Sequence, residues 1–114
     1  MTIHYTPYIG KKGSIITVHK AEIMLFDRHI EVVIRYDYKN ELDKDDYVKV
    51  ACTMPKAMLS VSRVEMSPVN DPGSDDIIEA VFLECAGTGP VHIKMKTEQE
   101  ANKIYQQIKK WMVA

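Results

Sequence analysis

Cysteine is scarce in this chain. Cys52 and Cys85 are the only two in 114 residues and belong to no CxxC pair, so a disulfide framework is not expected and both read as buried, reduced thiols, with a single bridge between them the alternative. Long apolar runs are missing too. None approaches the ~18 residues of a membrane-spanning helix, and no basic start leads into an apolar segment of secretory type, so a cytoplasmic location is expected. Nor is there an excess of charge of one sign. Fifteen Lys and Arg against sixteen Asp and Glu give a formal net charge of -1, which supplies no overall field for nucleic acid or an anionic membrane. No nucleic-acid partner is expected, and a membrane lipid is disfavoured.

Catalytic and metal-binding signatures are absent in the same way. His4, His19, His29 and His92 form no HxH or HxxxH arrangement, so they read as surface or edge histidines rather than zinc ligands. The acidic stretch Asp37 to Asp46 lacks the glycine turn and closing glutamate of an EF-hand and is interleaved with Lys39 and Lys44, which marks a self-neutralised loop. Gly87-Thr88-Gly89 lacks the lysine and following helix of a phosphate loop and reads as a turn. A thiol on the apolar face of a strand stays protonated and inert, so neither cysteine is expected to act as a nucleophile. The chain is therefore read as a non-enzyme, with no cofactor and no metal.

What is present is an ordinary globular composition, with 46% hydrophobic and 27% charged residues, enough for one domain over residues 1–114. Its clearest element is Thr97 to Met112. Thr97-Glu98-Gln99-Glu100 fits a capping box, and Ala101, Ile104, Tyr105, Ile108 and Trp111 then fall on one face, with Lys103, Gln106, Gln107, Lys109 and Lys110 on the other. A helix with a single apolar stripe must lie on something. The preceding residues 14–96 read as antiparallel strands, after an edge strand and loop over residues 1–13.

Along those residues, Ser14 to Asp27 is rich in β-branched side chains but mixed in phase, which suits two strands or one bent strand. Ile30, Val32, Ile34 and Tyr36 alternate cleanly after a turn at Asp27-Arg28-His29. Val48, Val50 and Cys52 share a face in the next strand, which Pro55 ends. From Met58 to Met66 the apolar phase reverses near Ser62, where a bulge would repair it. Ser67 to Asp75 is the strongest loop signal. Ile77 to Ala86 is apolar on both faces, as in a central strand, with a helix over Asp76 to Glu84 the competing reading. Gly87 to Pro90 turns the chain into a strand with Val91, Ile93 and Met95 inward.

About seven strands ending in a hairpin and one amphipathic helix is a layout that resembles the pleckstrin-homology-like superfold. The likeness is carried by Ile77 to Trp111: buried strand, turn, strand, then the helix with its tryptophan on the packing face. The resemblance implies a mainly β fold, a bent seven-strand antiparallel sandwich or barrel capped by the C-terminal helix. It also implies a binding module. Members that hold phosphoinositide headgroups place a lysine late in the first strand and a basic-x-Arg element in the second. Lys11, Lys12, Lys20 and Arg28 are the residues available here, but Ile30 stands where a second arginine is wanted.

Three functions follow. The first is a non-catalytic module that binds a protein or peptide, or forms a homo-oligomer, through an edge strand or the groove beside the helix. Its candidate edge is an exposed one carrying Tyr5, Tyr8 and Ile9. The second is a lipocalin-type barrel enclosing an apolar ligand, and the third an enzyme assembled from groups at strand ends.

Overall fold

A computed structural model describes residues 1–8, 15–39, 45–66, 78–87 and 89–114. Seven strands and one helix follow in order: β1 (Thr2–His4), β2 (Ile15–Leu25), β3 (His29–Lys39), β4 (Asp45–Pro55), β5 (Leu59–Met66), β6 (Ile78–Cys85), β7 (Gly89–Met95) and α1 (Glu98–Met112), with a 3-10 turn at Lys56–Met58 between β4 and β5. All strand pairs are antiparallel and lie in two sheets, ordered β1-β2-β3-β4 and β5-β6-β7. The fold is mainly β with one C-terminal helix, as its sequence pattern implies. The sheets do not close into a barrel. One isolated bridge, Pro7 to Met95, joins the N-terminal segment to β7.

One apolar core spans both sheets and the helix. Ile23 and Ile30 from the larger sheet, Leu83 and Met95 from the smaller, and Ile104 and Ile108 from α1 are each less than 2% exposed. Burial of side chains this size stabilises the fold by roughly 1.5 to 3 kcal/mol each. The helix begins as its capping box predicts, but only half of the box closes. Thr97 Oγ1 accepts from the Glu100 N–H at 3.3 Å, whereas the Glu100 carboxylate accepts from the Thr6 N–H at 2.5 Å. Glu100 therefore ties the helix to the N-terminal segment instead of to its own cap. Tyr105 and Trp111 are half-buried at the margin of the stripe, with Ala101, Ile104 and Ile108 at its centre.

The mixed phase of residues 14–27 comes from one strand with a bulge. Val18 faces Tyr36 and Lys20 faces Arg35, which leaves His19 as the extra residue. Ile16 and Val18 thereby share a face with Ala21, Ile23 and Leu25 although their parity differs. In β5 the expected bulge near Ser62 is absent, since Leu59 to Met66 pair with β6 without a shift. The reversal of phase is met on the opposite face. Val64 packs there with Ala80 and Tyr8 in a second small cluster, while Arg63 takes the inner position and Nη1 donates to Asn102 Oδ1. Tyr8 thus covers part of the second face of β6, which is a central strand and not a helix. Beyond β6, Gly87 and Gly89 have φ of 89° and 77°, a region that disfavours any side chain and makes glycine the fitting residue. The loop expected over Ser67 to Asp75 lies outside the described residues.

Candidate interaction surface

The larger sheet outruns its cover. Ile30 and Val32 are buried, but Ile34 and Tyr36 on the same face of β3 are only half-buried, as are Ile16 and Val48 beside them, and Val18 and Val50 are 41% and 52% exposed. The far halves of β2, β3 and β4 form a ribbon with an apolar inner face and no second layer of described residues, in a molecule measuring 47 × 25 × 25 Å.

Backbone hydrogen bonding defines the ribbon's edge. The Lys56 N–H donates to the Arg28 carbonyl at 2.8 Å, in step with the register that sets Ile30 opposite Met54 and Val32 opposite Cys52. Bonded and non-bonded pairs alternate in an antiparallel ladder. The even-numbered residues of β4 therefore bond inward to β3, and Asp45, Tyr47, Lys49, Ala51 and Thr53 direct their N–H and C=O groups away from the sheet. No described strand pairs with that side. The Tyr47 N–H bonds to the neighbouring Asp46 Oδ1 at 3.1 Å, as befits a group facing open solvent. These five residues are all exposed, and Tyr47 and Val50 are among the exposed large apolar side chains.

On the outer face Lys20, Arg35 and Lys49 stand directly opposite one another across three strands. Like charges so placed repel. Lys20 is relieved by Glu22 at 3.7 Å, and Arg35 lies over the Tyr47 ring, 5.1 Å from its centroid. His19, beside them, meets Asp37 at 2.6 Å. Lys49, at the free edge, has no ion pair among the described residues.

The edge expected at the N-terminus is largely taken. Tyr5 is buried in the core, against the expectation of exposure, because Ile3 and Tyr5 share the inner face with Ile23 and Ala21; burial pushes its hydroxyl up to about 12. Tyr8 is half-buried against Val64 and Ala80, and Ile9 lies outside the described residues. The outward N–H of Thr6 is held by Glu100. The groove beside the helix exists, about 380 Å³ between Ile3, His4 and Thr6 on one side and Gln99, Lys103 and Gln107 on the other. That hydrogen bond links its two walls.

Of the candidate phosphate ligands, the two that are described, Lys20 and Arg28, are not gathered. Lys11 and Lys12 lie outside the described residues. Lys20 faces Arg35 in mid-hairpin and Arg28 sits in the turn, five paired rows further on, which at about 3.3 Å per residue is a separation of more than ~15 Å. Among the described residues no group of three or more His, Cys, Asp or Glu could hold a metal. Both cysteines are free; Cys85 is buried, and burial pushes the Cys52 thiol up, away from the thiolate a nucleophile needs. No described helix is long and apolar enough to cross a membrane. Sequence reading overlooked the β4 edge because local pattern does not reveal which strand ends a sheet. Its one legible sign was Lys49 amid Val48 and Val50.

No family model matches the chain, and no curated protein and no solved structure matches it at a significant level.

Proposed function

We propose that this chain is a non-catalytic, cytoplasmic interaction module of pleckstrin-homology-like layout, and that it binds a protein or peptide by adding a strand to the free edge of β4. The observation that carries this reading is the row of outward backbone groups from Asp45 to Thr53, bordered by a half-covered apolar face. Main-chain pairing supplies affinity, and side chains alternating along the added strand supply selectivity. Support for the layout comes from the division into four and three strands with the helix following the last. Two free thiols suit a reducing compartment.

A display library of random peptides, selected on the immobilised chain and counter-screened on Ala51→Pro, tests the proposal. Proline at 51 removes one outward N–H without breaking a bond to β3, so the fold survives and strand addition is blocked. Peptides that bind the native chain and not Ala51→Pro are expected. Selected peptides that bind both equally would overturn the reading.

A further inference from the structure

We infer that the strand added at β4 is β4 of a second copy, paired antiparallel about a two-fold axis through Tyr47. The inference rests on the edge reading above and names its partner. Asp45, Tyr47 and Lys49 all lie on the outer face and all direct their backbone groups to the free edge. In an antiparallel pairing centred on Tyr47, Asp45 of each chain falls opposite Lys49 of the other, and the two residues of each pair exchange both main-chain hydrogen bonds. Two ion pairs then flank a central tyrosine pair.

The registers centred on the next three residues of β4 lack this match, and centring on Asp46 sets two aspartates face to face and carries Lys49 past the end of the partner's β4. Centring on Lys49 sets two lysines face to face, centring on Val48 sets Lys49 opposite tyrosine and Asp45 opposite Ala51, and centring on Val50 sets Lys49 opposite Ala51. Charge along β4 thus selects one register out of five. It also completes the row that the single chain leaves unbalanced: Lys20, Arg35 and Lys49 run across three strands and end at the edge, where the second copy brings a carboxylate. Association moves the Tyr47 N–H from the Asp46 carboxylate, which shields it in the single chain, to the facing Tyr47 carbonyl. The four-stranded sheet becomes one of eight.

Sedimentation equilibrium of the full chain, alongside Lys49→Glu, Asp45→Lys and an equimolar mixture of the two, tests this. The native chain is expected to form a reversible dimer. Each variant alone sets like charges opposite each other twice and is expected to dissociate at concentrations roughly tenfold higher or more. In the mixture, one chain's Asp45 meets the other's Lys49, and the introduced Glu and Lys meet in turn, so association returns. A native chain that stays monomeric, variants that dimerise as well as the native chain, or a mixture that fails to associate would each overturn the second copy as partner. Peptides sensitive to Ala51→Pro would still report on the edge itself, which separates failure of this inference from failure of the edge reading.

Discussion

The Trp111 indole N–H donates to the carbonyl of Phe26 at 2.7 Å, a contact between residues 85 apart that fastens the last turn of α1 to the β2–β3 hairpin. The Phe26 ring in turn stacks on His29, with centroids 4.4 Å apart, and Lys56 Nζ lies 4.9 Å from the Trp111 ring centroid. Trp111→Phe keeps most of the apolar contact and removes the donor. A loss of about 1 to 2 kcal/mol, read from urea denaturation, is expected. An unchanged midpoint would show that the bond contributes nothing.

Glu100 acts across the molecule where a capping box would act within the helix. Glu100→Ala leaves the Thr6 N–H without its partner and frees the segment that crosses from β1 to β7. Destabilisation of about 1 kcal/mol is expected, together with faster amide exchange at Thr6 than in the native chain. Thr97→Ala, which removes the cap itself, costs a similar amount but should leave exchange at Thr6 slow.

Tyr5 gives the stability an alkaline limit. Its folded value is pushed up from 10.0 to about 12, first by burial and then by the nearby Cys52 and Glu100. The folded chain therefore holds this proton more tightly than the unfolded chain. Stability is full below pH 10 and falls as pH rises towards 12, by about 2 to 3 kcal/mol in all. Tyr5→Phe removes the ionisation, so its denaturation midpoint should fall less steeply across that window. Parallel slopes for the two chains would contradict the burial of Tyr5.

Most of the architecture was legible because it is local. Alternation in β3 and β7, the helix stripe and the Thr97 cap are each written within one short stretch of chain. Phase reversals were legible as irregularities but not as outcomes: the one in β2 became a bulge at His19, whereas that in β5 is absorbed by Tyr8, 56 residues upstream of Val64, covering the outer face. The candidate site was the least legible part. Tyr5 and Tyr8 looked exposed because aromatic side chains near an edge give no sign of which way they turn. The open edge of β4 depends on sheet order, a property of all four strands together.

The β2 bulge makes a contrasting pair of deletions informative. Removing His19 leaves Val18 opposite Tyr36 and Lys20 opposite Arg35 in a regular ladder, with every side chain on its present face. Thermal unfolding should shift by an amount equivalent to ~1 kcal/mol or less. Removing Glu22 instead drives Lys20 into the position of Ala21, which is only 8% exposed, at a cost of several kcal/mol. Equal effects would mean that His19 is not the extra residue.

Residue-by-residue amide hydrogen exchange along β4, at low and high protein concentration, tests the central claim most directly. In dilute protein the amides of Val48, Val50, Cys52 and Met54, bonded to β3, should be slow, and those of Lys49, Ala51 and Thr53 fast. At high concentration protection should spread to Asp45 and Lys49, which pair across the two copies as the edge is covered. Uniformly slow exchange in dilute protein, with no alternation between odd and even residues, would contradict the account, because the edge would then be paired within the single chain.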